Sequence, residues 1–377
     1  MNDSHLWTEK YNGTMDDIFD IQERVSRSIV EALDVKLTIK EESVLSQHPI
    51  ENAKAYEYYI RARQEMWKLS EQGLNNAVAL TQQALGFIPD NALLYATLST
   101  AYLYFYHYGI RLDPFYLEQA HQYASKGLEL DANCPQAYFV YAALEFKKGH
   151  HQAASRIFKK VLSLDQNNID AFCWLIVSYF ISGKPEAAMP LSEKLLQVDP
   201  LMYISRVQMP GLIEFYSGNF QEALPYYQEW LRSDPEGPFT RFNCAWNFAL
   251  NNKLKESIAI LDAMIKETRK LIFGKFALFF KTALLQGDRE SALKYATEEL
   301  KREAAFIDFF PLPMAYVYVL IDEKDEAVNW LNKSLHFGIC PYPMFLKWEI
   351  FHEVLKDHEG FHEYLKEIKK RSEQFVV

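Results

Sequence analysis

The sequence lacks the signatures that most enzymes and metal proteins carry. Its four cysteines, in 377 residues, are 39, 71 and 96 positions apart, so none forms the C-x-x-C pair of a zinc ribbon or a thioredoxin-type site. It contains no P-loop, G-x-G-x-x-G, G-x-S-x-G or kinase signature set. These absences predict a protein that is not an enzyme and needs no cofactor, with cysteines that serve as small core residues.

The sequence also lacks an excess of basic residues and long apolar runs. The net charge of −10 and the pI near 5.6 argue against nucleic acid and against an anionic membrane surface, because both attract basic proteins. No apolar run approaches about 18 residues and no signal peptide follows Met1, so we expect no membrane insertion of this segment. Free thiols favour a cytoplasmic location. A periplasmic one stays open if a transmembrane segment precedes the sequence.

What the sequence does have is apolar content and a repeated pattern. Hydrophobic residues make up 49% and aromatic residues 15%, which is enough for a continuous core. The pattern places a glycine five positions before an alanine, as in Gly149 and Ala154, and again in Gly183 and Ala188. The two alanines are 34 positions apart (188 − 154), which gives the period of the pattern. Each copy fits two antiparallel helices with a small residue where they cross.

The small residue can be followed through eight copies. The eight positions are Ala77, Ala120, Ala154, Ala188, Ala223, Ser257, Ala292 and Ala327. Successive members are 43, 34, 34, 35, 34, 35 and 35 positions apart. The turn position before the small residue holds Gly149, Gly183, Gly218, Asn252, Gly287 and Asp322 in six of the copies. Glycine, asparagine and aspartate tolerate the left-handed conformation that ends a helix.

This pattern resembles the tetratricopeptide repeat (TPR). The resemblance implies an all-α fold, a right-handed superhelical solenoid of about eight TPR-like helix pairs. We expect the repeats over residues 51–335, a helical segment over residues 1–50 and a C-terminal capping segment over residues 336–377. The resemblance also implies a non-catalytic interaction or regulatory scaffold that binds a protein or peptide partner in its concave groove. Homo-oligomerisation stays open.

The N-terminal segment does not follow the repeat. Thr14 and Asp17 form a capping box, and an apolar stripe from Ile18 to Ile29 predicts a helix ending near Leu33. Residues 6–22 resemble the end of the TolB-like domain that precedes repeat arrays in bacterial cyclase-, kinase- and transcription-regulator-linked signalling proteins. That likeness implies that the sequence is one part of such a signalling protein. The alternative is a free-standing array with a helical N-terminal cap.

The first helices of the resembled repeats line the inner surface. Carried onto this sequence, the partner-binding positions are Gln136, Phe139, Phe146, Asp170, Phe180, Phe239, Phe242 and Trp246. Aromatic residues there are either anchors for a partner or packing between neighbouring repeats. We expect Trp246 to present one face to solvent and Trp230, on a second helix, to lie in the core.

Two further stretches carry alternative functions. His358, Glu359 and His362 form an H-E-x-x-H sequence, which on a helix would hold zinc for a hydrolase. Asp357, however, is typical of a helix N-cap, and the capping segment already explains this stretch. The aromatic insertion of residues 104–114 either packs on its own repeat or covers an apolar pocket near Tyr106, as in a small-ligand sensor.

Two irregularities are expected within the array. Pro210 and Gly211 fall inside a first helix and should kink it. The bulk of Phe280 predicts that the seventh pair is the least regular.

Overall fold

The computed structural model describes residues 18–32, 49–68, 70–286 and 289–377, and within these ranges the regular elements are helices, with no strand. The chain divides into two compact units, unit 1 (Met1–Ala137) and unit 2 (Tyr138–Val377). Within the described residues, no helix combines the length and the apolar character that a membrane span needs.

Unit 1 begins with a helix that packs on the first pair. Its helices are α1 (Ile18–Ala32), α2 (Ala53–Met66), α3 (Glu71–Phe87), α4 (Ala92–His107) and α5 (Pro114–Leu130). The Phe19 ring lies 5.2 Å from that of Tyr56, whose hydroxyl accepts a bond from the Gln22 amide at 3.0 Å. Thr14, Asp17 and most of the TolB-like stretch lie outside the described residues.

The aromatic insertion packs on its own unit. The Phe105 ring lies 4.9 Å from that of Tyr116, and Ile110 joins the cluster that holds Ala62 and Met66. This cluster belongs to the first two helix pairs. The packing therefore supports the interpretation that residues 104–114 pack on their own repeat.

Unit 2 also consists of helix pairs. Its helices are α6 (Pro135–Lys147, which starts at the end of unit 1), α7 (His151–Leu164), α8 (Ile169–Ile181), α9 (Pro185–Val198), α10 (Met209–Tyr216), α11 (Phe220–Ser233), α12 (Pro238–Leu250), α13 (Leu254–Thr268), α14 (Ile272–Gln286), α15 (Arg289–Leu293), α16 (Glu298–Ala304), α17 (Pro311–Leu320), α18 (Lys324–His336), α19 (Tyr342–Lys347), α20 (Glu349–Leu355) and α21 (Glu359–Gln374). Consecutive helices pack as pairs from α2–α3 to α17–α18.

The crossing residues lie where the period predicted them. All eight small residues from Ala77 to Ala327 are fully buried. In the sixth pair the Ser257 hydroxyl also donates to the Ala245 carbonyl at 2.8 Å, which ties the two helices together. The predicted burial of Ala154 and Ala188 is confirmed.

The turns adopt the predicted left-handed conformation. The φ angles are +78° at Gly149 and Gly183, +76° at Gly218, and +57° at Asn252 and Asp322. Gly287 lies outside the described residues.

Both stretches that were expected to be irregular depart from a regular helix pair. A π-helical turn, Ile204–Gln208, precedes α10, and Pro210 stands in the first turn of that helix. The second helix of the seventh pair is divided into α15 and α16, of five and seven residues.

Candidate functional site

The predicted groove positions are mostly buried. Phe139, Phe146, Phe180, Phe242 and Trp246 are only 2–5% exposed. Gln136, Asp170 and Phe239 are half-buried. Whether any of these residues contacts a partner stays a prediction, but most of them are covered by their own chain.

In the third and fourth pairs the cover is a neighbouring repeat. The Trp174 ring of α8 lies 5.9 Å from Phe139 and 5.0 Å from Phe146, both on α6. Phe180 stacks on Tyr216 at 4.6 Å. These aromatic residues therefore join consecutive pairs, which is the second of the two interpretations considered for them.

In the sixth pair the cover comes from the end of unit 2. Phe242 lies 5.0 Å from Phe310, and Trp246 lies 5.7 Å from Trp348. The expectation that Trp246 presents a face to solvent is wrong, because later helices pack over it and leave 3% exposed. The predicted burial of Trp230 is confirmed, at 1% exposed.

The segment after α18 also docks on the turns of the third and fourth pairs. A Cβ added at Gly149 would lie 2.9 Å from the Gly338 nitrogen. The Cys340 N–H donates to the Ile181 carbonyl at 2.6 Å, and the Ser372 hydroxyl donates to the Gly183 carbonyl at 3.1 Å. Gly183 and Ser372 are 189 positions apart in the sequence, so the end of the chain returns to a much earlier repeat.

A buried ion pair and a buried histidine lie next to this contact. The Lys147 ammonium group donates to both carboxylate oxygens of Asp308 at 2.9 Å, and the two side chains are only 6% and 8% exposed. The His151 ring Nε2 bonds the Phe337 carbonyl. Burial lowers the pKa of His151 to about 4 and also lowers the pKa of Lys147, an effect that Asp308 opposes.

One stripe of α8 stays partly accessible. Asp170, Cys173, Trp174 and Val177 follow helical spacing and are all half-buried. Burial, with the Asp170 carboxylate, raises the pKa of the Cys173 thiol, so this thiol is a protonated apolar group near neutral pH. The stripe therefore offers an acidic side chain at one end and apolar side chains along the rest. Asp170 is among the partner-binding positions predicted from the sequence, whereas Trp174 is not.

The H-E-x-x-H residues do not converge. His358 is the N-cap of α21, one residue later than the expected Asp357, and its Nε2 lies 3.1 Å from an Asp325 carboxylate oxygen. The His362 Nε2 bonds the Lys356 carbonyl at 2.8 Å. Within the described part of the chain, no group of three His, Cys, Asp or Glu residues is placed to hold a metal. The four cysteines, all in described positions, are free thiols.

Comparison with known proteins identifies the repeat. Residues 135–168 match the family described as "Tetratricopeptide repeat". A curated relative from Rhizobium meliloti (strain 1021), named putative adenylate cyclase 3, is 32% identical over 139 residues, which are 37% of this chain and 24% of the relative. The chain thus spans about a quarter of the length of the curated relative it matches.

Three solved structures to which the chain is similar are described as tetratricopeptide repeat proteins. A tetratricopeptide repeat protein from Parabacteroides merdae is 14% identical and has a TM-score of 0.41, covering 85% of this chain and 99% of its own. TTC0263 from Thermus thermophilus is 14% identical with a TM-score of 0.41, covering 52% and 99%. YrrB, described as a TPR protein with an unusual peptide-binding site, is 20% identical with a TM-score of 0.32, covering 52% and 95%. At these identities and TM-scores the likeness supports no conclusion about what this chain binds.

Proposed function

We propose that this tetratricopeptide-repeat chain is a non-catalytic interaction and regulatory module of a bacterial signalling protein. Its repeats bind a protein or peptide partner, and the partner lies along the inner helices of unit 2. The likeness to a protein named as a putative adenylate cyclase supports the signalling context, since 139 residues align at 32% identity.

The observation that carries the binding proposal is the accessible stripe of α8. Along α12 the corresponding inner positions Phe242 and Trp246 are closed by later helices, whereas Cys173, Trp174 and Val177 keep part of their surface in solvent. A half-buried apolar stripe with helical spacing is what an extended or helical peptide uses as its binding surface. Within the concave positions predicted from the sequence, the partner therefore lies on Asp170 and its neighbours rather than on the closed aromatic residues.

The test is a peptide selected from a displayed random library against the full-length chain. Its affinity is then measured by fluorescence anisotropy with Val177→Glu and with the matched control Leu162→Glu, a half-buried aliphatic residue of the second helix α7. A carboxylate facing an apolar ligand is costly to desolvate, so we expect Val177→Glu to weaken binding by about tenfold or more. Leu162→Glu should leave the affinity within about twofold.

Melting curves of both variants check that each is folded. Equal affinities for the two folded variants, or a selection that returns no specific binder, contradict the proposed surface.

The enzymatic alternative has its own test. Purified chain dialysed against a weak chelator should retain no stoichiometric zinc, because His358 and His362 bond to separate partners. Zinc that survives dialysis and is lost with His362→Ala would instead support the H-E-x-x-H site.

A further inference from the structure

Residues 375–377, here called the tail, leave the last helix and lie on another repeat. Helix α21 ends at Gln374, and Phe375 turns to extended backbone with φ −71° and ψ 123°. The Phe375 ring packs edge-on against Tyr179 of α8 at 5.9 Å. The tail therefore contacts the fourth pair, which lies in the first half of the chain.

The backbone of the tail is held by one side chain. The Val376 N–H donates to the Gln152 amide oxygen at 2.7 Å, and the Gln152 amide nitrogen donates to the Val376 carbonyl at 2.8 Å. A side-chain amide that bonds both groups of one residue reproduces the pairing between two β-strands. This contact recognises an extended backbone and makes no use of the valine side chain.

The tail is held more loosely than the helix before it. Ser372, near the end of α21, is 5% exposed and bonds the Gly183 carbonyl, whereas Val376 is 66% exposed and Val377 is 51% exposed. The tail can therefore leave Gln152 while α21 stays docked. A site that is occupied by a weakly held segment of its own chain is open to exchange with another segment of the same chemistry.

We propose that Gln152 and Tyr179 form a binding site for an extended peptide segment that begins with an aromatic residue, and that the tail occupies this site within the same chain. The site deepens the proposed function, on which it rests, by naming the chemistry of a partner: a protein segment with an aromatic residue followed by extended backbone. Tyr179 selects the aromatic ring and Gln152 reads the backbone that follows. The ammonium group of Lys159 lies over the Tyr179 ring, 5.7 Å from its centre.

The experiment uses the full-length chain with the tail released. In the double variant Phe375→Ala, Val376→Pro, the ring contact and the donated N–H are removed, and the extended backbone at position 375 is compatible with a following proline. The probe is a fluorescein-labelled peptide, Ser-Glu-Gln-Phe-Val-Val, with a C-terminal amide so that no terminal charge contributes. Anisotropy titrations extend to millimolar protein.

We expect the tail-released chain to bind the probe at least about tenfold more tightly than the wild-type chain, because in the wild type the tail competes at an effective concentration in the millimolar range. Adding Gln152→Ala to the tail-released chain should abolish binding, and adding Gln122→Ala should not. Gln122 is the matched control because its exposed amide bonds Glu118 and Gln119, two neighbours on its own helix. A probe N-methylated at the first valine should also fail to bind.

Two results would overturn the site: equal binding to the wild-type and tail-released chains, or binding that survives Gln152→Ala in a chain that melts normally. The α8 surface is tested separately by Val177→Glu. A library-selected peptide that is sensitive to Val177→Glu, together with a probe that ignores Gln152→Ala, overturns the tail site and leaves the proposed function standing.

Discussion

Single residues at the turns serve two purposes in this chain. Gly183 adopts φ +78°, which only glycine adopts without strain, and it also lies against Ser372 and the Cys340 carbonyl. The left-handed conformation could be predicted from the sequence because it depends on a local pattern that recurs in each repeat. The close approach could not, because Ser372 is 189 positions away along the chain.

Gly183→Ala should therefore destabilise unit 2 by at least about 1–3 kcal/mol, the cost of a non-glycine residue in this conformation, with the clash against the Cys340 carbonyl in addition. Gly86→Ala is the control. Gly86 lies in helix α3, where an added Cβ meets no described atom within 4 Å, so alanine should stabilise the helix by about 0.5–1 kcal/mol. Urea denaturation of the two variants measures both effects. A Gly183→Ala variant as stable as the wild type would contradict both the left-handed conformation and the close packing at Gly183.

His151 makes the stability of unit 2 depend on pH. Its pKa falls from the ordinary value of 6.5 to about 4 because the ring is buried, against Phe146, and this effect outweighs the bond to the Phe337 carbonyl, which favours the charged form. Lys147 disfavours the charged form as well, while Asp308 favours it. Between these pH values the unfolded chain binds the proton and the folded chain does not. The free energy of unfolding is thus at its full value above pH 6.5 and falls by up to about 3 kcal/mol as the pH drops to 4.

The measurement is the urea midpoint from pH 7 to pH 4. The wild type should lose stability more steeply than His151→Gln, which has no proton to gain. His150→Gln, at the exposed neighbouring position, should follow the wild type. If His151→Gln shows the wild-type slope, other groups cause the loss.

At the scale of helices, the sequence predicts which helices exist and in what order better than it predicts what packs against them. The pairs, their small crossing residues and the irregular seventh pair could be predicted because each depends on residues within one repeat unit. The exposure of the inner face of the first helices could not be predicted in this way. Trp246 stands at a position that an isolated pair would expose, and the rings of Phe215, Tyr316 and Trp348 from other parts of unit 2 pack around it.

This packing changes what the tryptophan substitutions should do. Trp246→Ala and Trp230→Ala should each destabilise by about 3–5 kcal/mol, because both remove a buried ring and leave a cavity. Trp67→Ala, at a position that is 51% exposed, should change the free energy of unfolding by less than about 1 kcal/mol. Chemical denaturation followed by circular dichroism measures all three. A Trp246→Ala variant as stable as Trp67→Ala would show that the inner face of α12 is open in solution.

At the scale of the whole molecule, unit 2 is held together by contacts that no repeat pattern encodes. Lys147 ends α6, and Asp308 precedes α17, 161 positions later. Nothing in the period of the repeat pairs these two positions, since the pairing depends on how successive repeats bring the later helices back to the third pair. The same contacts decide which part of the inner surface stays open. The sequence could therefore predict the positions of the candidate site but not which of them are exposed.

The ion pair offers the most direct test of this long-range contact. Asp308→Asn should destabilise by about 3–5 kcal/mol, because it leaves the Lys147 ammonium group buried without its carboxylate. Replacing both partners, as Lys147→Met with Asp308→Leu, should cost far less, since the desolvation of two charges is removed together. The coupling energy from the double-mutant cycle is thus expected to be large, and to change little between about 0.05 and 1 M salt because the pair is shielded from solvent. The control pair is Lys301 and the exposed Glu298, 3.2 Å apart on α16, whose coupling should be under about 1 kcal/mol and should fall with salt. Equal coupling energies in the two cycles would mean that the third pair and the α17 region do not meet in solution.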